Sequence, residues 1–179
     1  MLSSDSTVLV VIDVQGKLAQ LMCGKEELFA NLQRCIRGAK VLGVPIVWME
    51  QNPEGLGPTI PEVAELLTGI KPISKFCFSC CGSDGFMQEI KKTKRKQVLL
   101  SGIETHVCVY QTAVDLLGSG YEVQVVADAV SSRTPENKRI GLERIRDAGG
   151  VVTSTEMALF EMLKEAKGDK FKEILKAVK

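Results

Sequence analysis

The 179 residues are enough for one domain with a sizeable core, and 45% hydrophobic against 25% charged residues is a globular balance that excludes a disordered chain. A formal net charge of +1 leaves no overall field to attract nucleic acid or an anionic bilayer. No run approaches the about 18 apolar residues of a membrane span, and the opening "MLSSDST" has neither the basic nor the apolar part of a secretion signal. The expected setting is therefore the cytoplasm, with the six cysteines reduced.

Along the chain, short β-branched runs alternate with helical spacing. "TVLVVID" (7–13) reads as a buried strand, and 26–42 as a helix with Leu28, Leu32, Cys35, Ile36 and Ala39 on one side. "GVPIVWME" (43–50) is a second strand, with Trp48 assigned to the core; "QNPEGLGPT" (51–59) reads as loop, and a short helix starts at Pro61. "IKPIS" (70–74) is a weak strand that Pro72 sends to an edge. A helix over 83–94 ends in the basic run "KKTKRK", read as a solvated helix end. Then come a strand at 97–103, a helix at 105–118, a strand at 121–128, a helix at 135–148, a strand at 150–154, and helices at 155–166 and 169–178. This alternation predicts one α/β domain over 1–179, three layers deep, with a six-stranded parallel sheet of Rossmann-like type. The last helix carries Phe171, Ile174, Leu175 and Val178 on one stripe, which must pack on this subunit's sheet face or on a partner subunit.

Ligands of open α/β sheets bind beyond the carboxyl ends of the strands. Asp13, Glu50 with Gln51, Lys75, and Glu104 to Cys108 are the polar groups placed there, with Asp128 after the fifth strand, where it is expected to brace "DAVSSR". A free thiol has a pKa of about 8.5 and is mostly protonated at neutral pH. A neighbouring lysine and a helix N-terminus both favour the thiolate, so Lys75 and the start of the 105–118 helix are expected to lower the Cys108 pKa. Asp13 is then a candidate proton carrier, and backbone N–H groups around 104–108 a candidate oxyanion hole. Spacing alone equally allows strand-end caps with no chemistry.

Three stretches, "VVIDVQGKL", "KFCFSCC" and "LLSGIETHVCVYQTAVDLLGSGYEVQVVADAVSSR", together resemble the isochorismatase-like hydrolases, or cysteine hydrolases, in family order from about residue 7 to the end. "MEQNPEGLGPTIPE" and "DKFKEILKAVK" are most similar to the branch of isochorismatase domain-containing proteins. The resemblance implies an Asp13–Lys75–Cys108 triad, a cis peptide at Ile103–Glu104, oxyanion donors at the N–H groups of Glu104 and Cys108, and a homo-oligomer of tetramer size or larger. It also implies hydrolysis of a small amide or related C–N bond through a Cys108 thioester. Two alternatives stay open: a binding or scaffold protein with a vestigial triad, and an isochorismatase-type vinyl-ether hydrolase, for whose acidic substrate one strand-end cation is a poor match.

The nicotinamidase branch holds a metal through histidines, whereas this chain has one histidine, His106, so no metal and no cofactor are expected. The C-x-x-C within "CFSCC" lacks a second pair for zinc and is read as small apolar filling beside Lys75. Further candidates for the pocket of a small-molecule substrate are Glu50, Gln51, Phe76, Phe78, Thr105 and His106, with Phe76 and Phe78 as an aromatic wall.

Overall fold

The computed structural model describes residues 1–178, which form a six-stranded, all-parallel sheet in the order β3-β2-β1-β4-β5-β6. β1 (Thr7–Ile12) runs through the centre, every residue buried. α1 (Gly16–Gln20) and α2 (Lys25–Leu42) lead to β2 (Ile46–Gln51), which pairs with β1. α3 (Pro53–Leu56) and α4 (Pro61–Ala64) precede the edge strand β3 (Ile73–Lys75). α5 (Asp84–Thr93) then crosses to β4 (Gln97–Ile103), which pairs with the other side of β1. A π-helical turn (Thr105–Val109), α6 (Tyr110–Gly118), β5 (Glu122–Ser131), α7 (Pro135–Asp147), β6 (Val151–Thr153), α8 (Thr155–Leu163) and α9 (Gly168–Val178) complete the chain.

Strand alternation divides the core between the two faces. Leu9 and Val11 of β1 belong to a core with Leu28, Leu32 and Ile36 of α2 and Leu159 of α8, which Ile174 of α9 extends on the helical side. Val8, Val10 and Ile12 pack with Phe86 and Ile90 of α5, Val109, Ala113 and Leu116 around α6, and Ile145 of α7. Both faces are covered, which is why the central strands are continuous aliphatic runs. The order reverses between β1 and β4, so a crevice opens where Asp13 leaves one strand and Glu104 leaves the other.

Several local expectations are corrected. The 51–59 segment contains α3, because Pro53 suits a first helical turn and the Asn52 side chain accepts from the Gly55 N–H. α1 is a further unanticipated helix, five residues long. The helix expected over 105–118 opens as a π-turn and becomes α-helical only at Tyr110. β5 continues past Asp128 to Ser131, and its pairing with β4 slips between Leu100 and Gly102. Asp128 does not brace its own loop: Oδ1 accepts from Thr155 N (2.8 Å) and Thr155 Oγ1 (2.9 Å), tying β5 to the start of α8. The basic run is not simply solvated, since Arg95 donates to the carbonyls of Ser4 and Thr7. The stripe on α9 packs on helices rather than on the sheet, with Ile174 buried against the core that α2 and α8 share.

Gly102 sits where β4 approaches β1 most closely. Its φ is +109°, and a Cβ there would stand 2.1 Å from the carbonyl oxygen of Ile12. Gly102→Ala is expected to lower unfolding stability by about 3 kcal/mol through combined strain and overlap. A urea titration reads this directly, and an unchanged midpoint would contradict it.

Candidate active site

At the switch point three reactive side chains meet. Asp13 closes β1 with its backbone in the left-handed region (φ +53°), an uncommon position for a non-glycine residue. Lys75 closes β3 and points inward, its side chain fully buried. Its Nζ donates to Asp13 Oδ2 (2.7 Å), Gln51 Oε1 (2.7 Å), and the carbonyls of Cys77 and Phe78 (each 3.1 Å). The other carboxylate oxygen, Asp13 Oδ1, is buried without a conventional hydrogen-bond partner. Cys108 lies in the π-turn, 7% exposed, and interacts electrostatically with both Asp13 and Lys75.

Burial raises the Asp13 pKa above the ordinary carboxyl value, and the Lys75 ammonium only partly offsets this. For Lys75, burial works to lower the pKa, but the interactions with Asp13, Cys80 and Cys108 together outweigh it and the ammonium persists. The Cys108 thiol is pushed up to about 12, first by burial and then by the Asp13 carboxylate, with Lys75 opposing. This corrects the expectation of a depressed thiol. Asp13 and Lys75 neutralise each other, so a thiolate would add an uncompensated negative charge in a poorly solvated site. Cys108 rests as a thiol, and its proton can leave most cheaply to Asp13, which keeps the group's total charge at zero.

The loop from β4 shapes the space in front of the thiol. The Ile103–Glu104 peptide is cis. The Glu104 carbonyl accepts from the N–H groups of Val107 and Val109 and not from that of Cys108. Gly141 of α7 lets the helix press against this loop: a Cβ there would stand 2.9 Å from His106 N and from Thr105 C and O. The resulting cavity has a volume of about 110 Å³ and is lined by Asp13, Leu18, Gln51, Leu56, Phe78, Ile103, Glu104, Val107 and Cys108. A larger hollow of about 410 Å³ lies against the β2–β3 edge, but its charged lining residues are Lys71 and Glu89 and it holds no nucleophile.

The other anticipated pocket residues divide. Gln51 and Phe78 line the cavity, and Glu104 lines it while its Oε1 accepts from Arg133 N and Nε (each 3.1 Å). Glu50 does not line it, because its Oε1 is held by Thr59 N and Oγ1 (each 2.7 Å). Trp48, half-buried against the core, donates its indole N–H to the same Thr59 hydroxyl. Phe76 is 77% exposed and outside the lining. Thr105 is fully buried behind the loop with an unpartnered hydroxyl, and His106 pairs through Nδ1 with Ser132 Oγ (2.9 Å). The "CFSCC" stretch is more than filling, since two of its carbonyls hold the Lys75 ammonium.

Sequence reasoning missed Gln15, which is fully buried and holds the end of β2 and the turn after α3 together. Its amide donates to the carbonyls of Gln51 (3.0 Å) and Gly57 (2.7 Å) and accepts from Gln51 N (2.7 Å). A glutamine two residues past Asp13, in a segment otherwise apolar, was the available signal. The apolar lining from Leu18, Leu56 and Val107 had none. Among the described residues no group of three or more His, Cys, Asp or Glu is arranged to hold a metal ion, and no helix is long and apolar enough to cross a membrane.

Comparison with known proteins agrees with this architecture. The family model described as the isochorismatase domain matches residues 7–157. Isochorismatase domain-containing protein 2A of Mus musculus is 37% identical over 98% of this chain and 84% of its own length. The secreted isochorismatase effector Isc1 of Phytophthora sojae is 39% identical over 97% of this chain and 85% of its own. Among solved structures, the MAR1 ribonuclease of Caenorhabditis elegans superposes with a TM-score of 0.92 at 35% identity, covering 99% of this chain and 91% of that one. With the sheet order and these likenesses in agreement, the chain belongs to the isochorismatase domain family.

Proposed function

We propose that this protein is a metal-independent cysteine hydrolase that cleaves a small amide or related C–N bond through a thioester on Cys108. The observation that carries the reading is the buried Asp13–Lys75 ion pair of 2.7 Å sharing one cavity with the Cys108 thiol. As the substrate carbonyl seats against Cys108, Asp13 takes the Sγ proton and sulfur attacks the carbonyl carbon. The oxyanion is received by the N–H groups of Glu104 and Cys108. Asp13 returns the proton to the amine nitrogen, the C–N bond breaks, and the acyl group remains on sulfur. Asp13 then deprotonates a water that attacks the thioester. The C–S bond breaks, the acid leaves, and the proton goes back to Sγ. Lys75 holds Asp13 in place throughout and favours its ionised form before each proton transfer.

Neither named relative's activity fits the cavity as well. A vinyl-ether dicarboxylate or a phosphodiester needs cationic lining, and no Lys, Arg or His lines this cavity among the described residues. We also place the chain in a homo-oligomer of tetramer size or larger, a reading supported by Leu21, Phe76 and Phe78, which are 62%, 77% and 57% exposed. A cytoplasmic setting fits six free cysteines, and fractionation of the source cells tests it against secretion.

Cys108→Ala should abolish turnover of any small amide substrate while preserving the fold by circular dichroism; undiminished turnover would leave the scaffold reading in its place. Because Asp13 must be ionised to act and burial raises its pKa, kcat/KM should fall with decreasing pH before an ordinary carboxyl would protonate. Lys75→Met removes the one nearby charge that opposes this rise and should move that acid limb to still higher pH. An acid limb that stays put in the variant would contradict the role given to Lys75. Thiolate ultraviolet absorbance, taken as the difference from Cys108→Ser, should be absent at neutral pH and grow only toward a pKa of about 12. Light scattering should give a mass of four subunits or more, reduced in Phe76→Asp, and a monomeric wild-type chain would contradict the assembly.

A further inference from the structure

We infer that the acyl group accepted at Cys108 is short, apolar and uncharged, and that amides carrying a carboxylate are rejected. The inference deepens the amide-hydrolase reading and, as a statement about substrate class, rests on it.

Three observations carry it. The wall facing the thiol is aliphatic and aromatic: Leu18, Leu56, Phe78, Ile103 and Val107. The ionic groups on that wall, Asp13 and Glu104, are both acidic and already paired with Lys75 and Arg133, so the wall itself offers a substrate carboxylate no positive partner. The nearby cations are already committed. Lys75 has three N–H bonds and four acceptors around it, so it has no donor to spare. Arg133 lies outside the lining and pairs its charge with Glu104, whose Oε1 accepts from its Nε and backbone N–H.

The remaining polar lining is equally occupied. The Gln51 amide accepts from Lys75 and donates to the Phe76 carbonyl (3.1 Å). A carboxylate taken from water into this space would therefore lose its hydration and gain no compensating charge, a cost that falls on binding and on every later step. The volume of about 110 Å³ sets the length. A cavity of that size suits a small acyl part such as that of propionamide or butyramide, and a longer chain would have to leave the apolar walls for solvent.

The test uses two alkylating reagents of similar size, neutral iodoacetamide and anionic iodoacetate, on the full chain. Modification is mapped to each cysteine by mass spectrometry, and exposed Cys23 of the same molecule serves as reference. The amide-to-acid labelling ratio at Cys108 should exceed that at Cys23 by about 30-fold or more. Equal ratios, or a preference for iodoacetate at Cys108, would overturn the inference, as would failure of both reagents to label Cys108. Leu56→Arg, which places a cation on the wall, should collapse the ratio at least tenfold.

Turnover gives the second arm. Butyramide should exceed succinamate, its carboxylated counterpart of similar length, by at least 100-fold in kcat/KM, and hexanamide should fall below butyramide. Comparable turnover of succinamate would overturn the inference. Retained turnover in Cys108→Ala would instead sink the thioester reading, and the labelling ratio would still decide whether the cavity excludes anions.

Discussion

The buried ion pair between Asp13 and Lys75 is the constraint around which this end of the molecule is arranged. Two charges taken from water are tolerated only when their remaining donors and acceptors are met. Lys75 satisfies this condition through Gln51 and through the Cys77 and Phe78 carbonyls. Those partners in turn fix the path of the chain after β3 and the end of β2. Gln15 repeats the device one layer out, joining the β2 end to the turn after α3. The carboxylate keeps one oxygen, Oδ1, outside this network. Because Asp13 and Cys108 line the same cavity, that oxygen is available to take a proton from the thiol in the proposed mechanism.

Strand order does the rest. β1 and β4 are neighbours although every element from α1 to α5 separates them in sequence, so Asp13 and Cys108 face one crevice from opposite sides of the reversal. The thiol is brought there by an unusually wide turn. π-Helical turns recur at functional sites because the extra residue displaces side chains that an α-helix would have aligned. Here the turn is supported by α7, whose Gly141 permits backbone-to-backbone approach.

Much of this was legible in the sequence. Aliphatic runs broken by helical periodicity identify the parallel sheet, Pro72 sends β3 to the edge, and motif order singles out Asp13, Lys75 and Cys108. What sequence reasoning got wrong has physical causes. Burial is a three-dimensional property, so the sign of the Cys108 shift could not be read from a nearby lysine and a helix start: desolvation outweighed both. Glu50 ends a strand beside the site, yet a backbone N–H and a hydroxyl of Thr59, nine residues on, claim its carboxylate. Leu18, Leu56 and Val107 come from three separate elements whose convergence no local pattern encodes. Asp128 was expected to act within its own loop and instead reaches α8, because β5 runs three residues longer than its composition suggested.

The position of Lys75 gives the molecule an asymmetry of rigidity. Asp13 and Cys108 follow central strands, but the lysine that completes the ion pair ends a three-residue edge strand with a single neighbour, β2. Edge segments with few ladder bonds open at lower free energy than the centre of a sheet. Under the proposed mechanism, local opening of β3 would withdraw the ammonium, let the desolvated carboxyl take up a proton, and deprive the thiol of its base while the core stayed intact. On that reading this short edge strand would act as a fuse for the site: mild destabilisation would silence the proposed chemistry before it unfolds the protein.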